Sequence, residues 1–301
     1  MTDAPRLVVG IDLGGTATRF VAVDGRGRVV ERHIASTPPH GSQGDIAQFL
    51  AEGVRRVTAG AGPASIGVGA SGPISPRGII LNPDTLPAFT GVDVPALLTG
   101  EFGVPCVIDN DAVTAALAEA TFGAGRDDDS LLMVTLGTGI GVSMLRAGSP
   151  VRGADGEHPE AGHMTIAGPP AACYCGRDTC WEQAASRLAL QRACSAITPR
   201  PADSSADIDA VAARADAGEE AALRVFAEFG TRLADGLANL LTVFRPRVLV
   251  IGGSGAAYLQ YFRDTVEAAL DSVVDTYPRV DIRAAEFGEF GGAIGAAALA
   301  D

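Results

Sequence analysis

Gly10-Ile11-Asp12-Leu13-Gly14-Gly15-Thr16 and Thr135-Leu136-Gly137-Thr138-Gly139-Ile140-Gly141 are two glycine-rich turns that repeat one design more than a hundred residues apart. Each follows an apolar run (Leu7-Val8-Val9 and Leu131-Leu132-Met133-Val134) and precedes another extended segment, so each reads as a β-hairpin with a nearly bare tip. Glycines let consecutive N–H groups converge on an anion, and Thr hydroxyls add donors without bulk. One such turn alone is an ordinary tight turn. Two of them, with an acidic residue in the first and a carboxylate-bearing segment between them, point to a nucleotide site. The strand–turn–strand setting separates them from the strand–loop–helix of the P-loop and of the dinucleotide fingerprint.

The composition narrows the chemistry further. A chain of 301 residues, 47% hydrophobic, has enough apolar material for two ordinary cores, and two lobes are expected. Its net charge of −13, with no basic run longer than a pair, carries no footprint for nucleic acid or an anionic membrane. All 23 basic residues are arginine. Without lysine there is no Walker-type phosphate Lys, no protein-kinase strand Lys and no Schiff-base Lys, so phosphate must be handled by backbone, Thr, Arg and metal. The sequence shows no charged-then-apolar N-terminal segment and no apolar stretch of membrane-spanning length, and a cytoplasmic location is expected.

Along the chain, Leu7 to Asp12, Arg19 to Val23 and Arg28 to Ile34 read as a β-meander, followed by a helix from Gln43 to Val57 and a buried strand from Ser65 to Gly69. This is the opening of an α/β lobe. Ser71-Gly72-Pro73 then puts small residues at a strand's carboxyl end, where α/β folds bind ligands. After a short helix from Pro95 to Phe102, the strand Pro105 to Ile108 delivers Asp109-Asn110-Asp111 to the start of a helix running to Phe122. The ordinary role of an Asx residue at such a corner is helix capping. The second meander begins at Ser130, which makes duplication of an α/β lobe the natural account. We expect a small domain over 1–115, rejoined by a C-terminal helix over 290–301, and a large domain over 116–289.

Cys173, Cys175 and Cys180, spaced C-x-C-x4-C, lie close in sequence to His158 and His163. Three thiols and an imidazole make a closed Cys3His set for a structural Zn2+, with no open position for water. A helix is expected from Glu182 to about Ile197, a polar linker from Pro199 to Ala206, a short surface helix from Ile208 to Ala215 and a long amphipathic helix from Ala221 to Phe244. The strand Val248 to Ile251 turns through Gly252-Gly253-Ser254-Gly255 into a helix over 256–273 without any side-chain wall. A flat base would slide against such a turn; a tight strand-to-helix junction needs it equally. The small-faced C-terminal helix suits close packing against another element.

Asp12-x-Gly14-Gly15-Thr16-x-x-Arg19, Asn110-Asp111-Ala112, Leu136 to Gly141, Glu160-x-Gly162-His163, Cys173-x-Cys175-Gly176-x-x-x-Cys180-x-Glu182 and Gly252-Gly253-x-Gly255 together resemble the ROK family of sugar kinases, repressors and related proteins. The resemblance runs from near residue 8 to the C-terminus. It implies an α/β, two-lobed actin-like ATPase (ribonuclease H-like) fold with a cleft between duplicated domains, and an ATP-dependent hexose 6-kinase acting on glucose or a glucose-like amino sugar. By the same resemblance Asp111 is the general base for the sugar's 6-hydroxyl, and Asn110, Asp111, Glu160, His163 and Glu182 contact the sugar. Asp12 organises Mg2+ with ATP, Gly14, Gly15, Thr16, Arg19, Gly137, Thr138 and Gly139 serve the phosphates, and Gly252, Gly253 and Gly255 the adenine. His163 would hold zinc with one ring nitrogen and face sugar with the other. A homodimer is usual for the family.

Departures from the family pattern bear on the sugar. Val113 stands where a second Asn is frequent, Phe89 where Trp is, Val142-Ser143 where further glycines are, and Thr179 where Gly is. They leave room for an N-acetylhexosamine kinase. A non-catalytic sugar-binding protein would not need Asp111, and a sugar-responsive repressor would need a DNA-reading helix and a less acidic surface. Another ATPase of the same superfold would not need Glu160, His163 and Glu182.

Overall fold

A computed structural model describes residues 6–198, 206–273 and 279–301. The chain forms β1 (Leu7–Leu13), β2 (Ala17–Asp24), β3 (Val29–Ser36), α1 (Gln43–Thr58), β4 (Ser65–Ala70), α2 (Val94–Phe102), β5 (Cys106–Asn110) and α3 (Asp111–Thr121). It continues with β6 (Ser130–Leu136), β7 (Ile140–Arg146), β8 (Ser149–Pro150), α4 (Trp181–Ala185), α5 (Arg187–Ala196), α6 (Ala206–Asp216), α7 (Glu220–Phe244), β9 (Val248–Gly252), α8 (Leu259–Val273), β10 (Asp281–Ala284) and α9 (Gly291–Ala300). Contacts divide it into two units. The first runs to Leu131 and adds Ser143–Pro159 and Ala285–Asp301; the second comprises Leu132–Val142 and Glu160–Ala284. Among the described residues no helix is long and apolar enough to cross a membrane.

The first sheet has the order β3-β2-β1-β4-β5, antiparallel through the meander and parallel from β1 to β4 to β5. Strand periodicity divides β1 between two cores. Val9, Ile11 and Leu13 join Ile46, Leu50 and Val54 of α1 on one face, and Val8 joins Ala118 of α3 and Ala293, Ile294 and Ala297 of α9 on the other. The same alternation puts Gly10 and Asp12 on the α9 face. A Cβ on Gly10 would run into the Ala293 carbonyl, and one on Gly67 into that of Ala296, so α9 lies on bare backbone of β1 and β4. This is the close packing expected of the small-faced C-terminal helix. The helix α1 starts on a capping box, with Ser42 and Asp45 satisfying each other's backbone N–H, and closes at Ala59 with φ 49°.

The second sheet has the order β10-β9-β6-β7-β8, with β9 and β10 parallel. In the second unit Trp181 is wholly buried against α7, where Gly236 makes room for its ring, and its Nε1–H donates to the Arg232 carbonyl at 3.0 Å. A buried indole with its one donor satisfied is a rigid anchor. Its neighbours in sequence are Cys180 and Glu182.

Three local expectations are corrected. The helix expected from Glu182 to Ile197 is two helices, broken at Ser186, which is extended (φ −75°, ψ 166°) and caps α5 by accepting from the Ala189 N–H at 3.2 Å. The break sends the Leu188 N–H to the Gly137 carbonyl at 3.3 Å. The helix expected from Ile208 to Ala215 is no mere surface element, since Ile208 and Val211 are fully buried. Between β9 and α8 lies a 3-10 turn, Ser254–Tyr258, so the α-helix starts at Leu259 rather than at 256. The linker expected from Pro199 to Ala206 lies, but for its last residue, outside the described residues.

Candidate active site

In the first unit, parallel pairing of β1, β4 and β5 sets Asp12 opposite Gly69 and Ala70 opposite Asn110, so the carboxyl ends of three neighbouring strands carry Asp12, Ser71 and Asp111. Capping falls to Asn110. Its Oδ1 accepts from the Ala112 N–H at 2.8 Å, and its Nδ2 donates to the Gly72 carbonyl at 3.2 Å. Asp111, the first residue of α3, is thereby freed of that duty, and its Oδ2 accepts from the Ser71 hydroxyl at 2.7 Å. The helix N-terminus favours its negative charge.

Asp109 lies beside this corner and is buried. It accepts from the Asn110 N–H at 2.8 Å and pairs with the Arg152 guanidinium, whose Nη1 donates to the Gly156 carbonyl at 3.0 Å. The pair ties the loop before Glu160 to the end of β5. Sequence reading missed it, because a pair 43 positions apart leaves no local pattern.

Asp12 faces α9 across Gly292, where a Cβ would come 2.8 Å from its Cγ. Burial, then the charge of Asp111, raise the Asp12 carboxyl from its ordinary 3.8 to about 7, against a smaller opposing pull from Arg19. A hard oxygen donor whose ionised form is disfavoured by another carboxylate suits a divalent cation, whose charge would reverse that electrostatics. Arg19 pairs with Glu289 at 3.3 Å, while its buried Nε has no hydrogen-bond partner among the described residues.

The first glycine turn is shaped from behind by Thr37, whose hydroxyl donates to the Gly14 carbonyl at 2.6 Å. With that proton committed, Thr18 is the donor in its 2.8 Å bond to Thr37. Gly15 and Thr16 are exposed, and Thr85 presses on Gly15 where a Cβ would stand, 2.7 Å from its Cγ2.

In the second unit the turn Gly137 to Gly139 is closed by a Gly137 N–H bond to the Gly139 carbonyl at 3.0 Å. A Cβ on Gly139 would lie 2.5 Å from Glu182 Oε2, and one on Gly162 would strike the Ile140 carbonyl. The hairpin tip is therefore seated against both Glu182 and the 3-10 turn Ala161–His163 that follows Glu160. Glu160 itself is exposed. Gly253 takes φ 73°, and side chains at Gly253 and Gly255 would clash with Leu136 at 2.7 Å. These glycines seat the strand that leads into Gly137.

His163, Cys173, Cys175 and Cys180 converge, their four ligand atoms all within 4.8 Å of one another. The His163 Nδ1 to Cys173 Sγ distance is 3.5 Å and Cys175 to Cys180 is 3.4 Å. Tetrahedral zinc with Zn–S near 2.3 Å sets sulfurs roughly 3.8 Å apart, so the donor set fits that ion. Burial raises the Cys173 and Cys180 thiols, Cys180 to about 12, while the Arg177 N–H lowers that of exposed Cys175. Buried Glu182 places Oε1 3.1 Å from Cys173 Sγ and 3.6 Å from His163 Nδ1. The other ring nitrogen of His163 is turned away from the thiols, 2.8 Å from the hydroxyl of Tyr174, which sequence reading passed over although it stands between the first two cysteines.

Comparison with known proteins agrees with this architecture. The family model described as "ROK family" matches residues 8–301. A glucokinase of Thermotoga maritima is 29% identical over 316 residues, covering 98% of each chain. Among solved structures, a ROK hexokinase from Thermus thermophilus superposes with a TM-score of 0.84 at 32% identity, covering 98% of this chain and 97% of that one. A ROK family glucokinase from Streptomyces griseus, in complex with glucose and AMPPNP, does so at 0.82 and 28%, covering 98% and 99%. The α/β, actin-like ATPase fold that the motifs implied is the one found.

Proposed function

Because the chain belongs to the ROK family, we propose that it is a sugar kinase transferring the γ-phosphoryl group of ATP to the 6-hydroxyl of glucose or a glucose-like amino sugar. The observation that carries this reading is the carboxylate of Asp111, held through Oδ2 by Ser71 at the carboxyl end of β5 and otherwise unengaged by described residues. In the reaction the sugar oxygen bonds to the γ-phosphorus, the bond from that phosphorus to the bridging oxygen of ADP breaks, and the hydroxyl proton passes to Asp111. Phosphoryl transfer asks little covalent chemistry of a protein; orienting the nucleophile and accepting its proton late is the work a carboxylate does.

Asn110, Glu160, His163 and Glu182 are the proposed sugar contacts. Both polar atoms of the Asn110 amide already hold backbone, and each keeps one further position for a hydroxyl. A buried hydroxyl left unpaired costs roughly 1–3 kcal/mol, so a polyol site needs donors and acceptors in number. The turns at Gly14 to Thr16 and Gly137 to Gly139, with Arg19, would receive the phosphates, and the turn Gly252 to Gly255 the adenine. Asp12 would hold Mg2+ with ATP, and that ion supplies neutralisation of phosphate charge when bound. Zinc in the Cys3His set would stiffen the loop that bears His163 and Glu182. The glucose and AMPPNP held by the Streptomyces griseus enzyme support the substrate pair.

The test is ADP release with Mg-ATP against glucose, mannose, N-acetylglucosamine, N-acetylmannosamine and 3-amino-3-deoxyglucose, with Asp111→Asn as control. Turnover on one sugar, lost in the variant, is the expected result. Absence of sugar-dependent turnover, or turnover indifferent to Asp111→Asn, would sink the proposal.

A further inference from the structure

We infer that Ser71 is a positioning residue for the Asp111 base, an inference that rests on the kinase reading above. Ser71 follows β4 directly, one step beyond the last registered pair of β4 and β5, Ala70 with Asn110, so the register itself brings it to Asp111. Its hydroxyl lies 2.7 Å from Asp111 Oδ2. A serine has one hydroxyl proton, and a carboxylate at this distance takes it.

The Ser71 backbone cannot drift, because both carbonyls of the Ser71-Gly72 turn are held by side-chain amides. Asn82 Nδ2 donates to the Ser71 carbonyl at 2.9 Å, and Asn110 Nδ2 to that of Gly72 at 3.2 Å. Gly72 takes φ 83°, and a Cβ there would stand 2.5 Å from Asn82 Nδ2, so the amide fills the space a side chain would need. Two asparagines thus fix a turn whose only side chain with chemistry is directed at the base.

The consequence is a division of labour between the two oxygens of Asp111. Oδ2 is occupied by Ser71, which prevents the carboxylate from rotating about its terminal torsion, a soft one in an unrestrained Asp. Oδ1 is left to take the substrate proton. Ser71 therefore acts on the rate of transfer through the orientation of Asp111, rather than on the affinity for sugar.

The measurement is kcat and sugar KM for Ser71→Ala and Ser71→Thr beside the parent enzyme, with melting temperatures. Ser71→Ala should lower kcat about tenfold, the equivalent of one lost hydrogen bond to a charged group, while KM and melting temperature hold. Ser71→Thr, which keeps the hydroxyl, should stay within about threefold of the parent. A parent-like kcat in Ser71→Ala, a rise in KM with kcat unchanged, or a loss in Ser71→Thr as large as in Ser71→Ala would overturn the inference while the parent still turns over. A parent enzyme without sugar-dependent turnover would remove the kinase reading and this inference with it.

Discussion

Glu182 occupies the space that a side chain on Gly139 would need: its Oε2 lies 2.5 Å from where that Cβ would stand, while its Oε1 is 3.1 Å from Cys173 Sγ. The hairpin tip read as a phosphate loop is thus also the wall against which rests the carboxylate proposed above as a sugar contact. The carboxylate is a movable end, but its other oxygen is committed, so a methyl at 139 should push it aside. Gly139→Ala is expected to raise the sugar KM about tenfold and the ATP KM less, read from steady-state kinetics with each substrate varied.

Metal binding at the Cys3His set should be linked to protons. The Cys173 and Cys180 thiols sit above their ordinary value in the metal-free fold, so zinc must displace protons to bind them. The purified protein is expected to hold about one zinc per chain, with an affinity that weakens as pH falls. Elemental analysis after dialysis at graded pH checks this. Chelation should lower the melting temperature, and Cys175→Ser should mimic it.

Asp12 gives a pH dependence of the opposite sign to the usual carboxylate. Its folded value, about 7, lies above the ordinary 3.8, so between about pH 4 and 7 the folded state binds more protons than the unfolded one. Stability of the metal-free protein should fall as pH rises through that window. With allowance for solvent at a half-buried group, the contribution is on the order of 2 kcal/mol. Urea unfolding of the parent and of Asp12→Asn at pH 4.5 and 7.5 checks it: the variant should lose less stability over that interval, and an equal loss would remove the effect.

The seat of α9 on bare backbone predicts a severe core defect. Gly67→Ala sets a methyl into the Ala296 carbonyl, a rigid neighbour on an α-helix. A loss of about 3 kcal/mol in denaturant unfolding is expected, against less than about 1 kcal/mol for Gly100→Ala, where no described residue of another element stands within 4 Å of the added Cβ.

Arg152 should matter for stability through Asp109. Removing the guanidinium leaves a buried carboxylate with, among the described residues, only the Asn110 N–H, and Arg152→Ala should cost about 3 kcal/mol. The pair Asp109→Asn with Arg152→Ala should cost less than the sum of the two single changes, as measured by a double-mutant cycle.

The glycine turns, the meander, the long helix α7 and the cysteine set were legible because each is written in local spacing. A period of two or of 3.6, a glycine run and a C-x-C-x4-C pattern all report short-range geometry. The break at Ser186 was not, since the Ala and Leu around it favour one continuous helix. The broken form finds its partners in the Ser186 hydroxyl, which accepts from the Ala189 N–H, and in the distant Gly137 carbonyl, which accepts from the Leu188 N–H. Nor was the share-out at the β5 corner, where Asn110 caps and Asp111 does not. Either residue type is suited to capping, and the choice follows from backbone direction at the strand end.

By itself the sequence determined which residue types stand at the ends of which strands, the Cys3His set that could hold a metal, and the absence of any lysine to handle phosphate. What tertiary structure alone decided is which of these groups touch: Ser71 with Asp111, Glu182 with Gly139 and Cys173, Asp109 with Arg152, and α9 with Gly10 and Gly67. The reason is physical. Residue chemistry and short periodicities are properties of a segment, whereas contact depends on strand register and helix seating, which arise only when distant segments compete for the same buried surface.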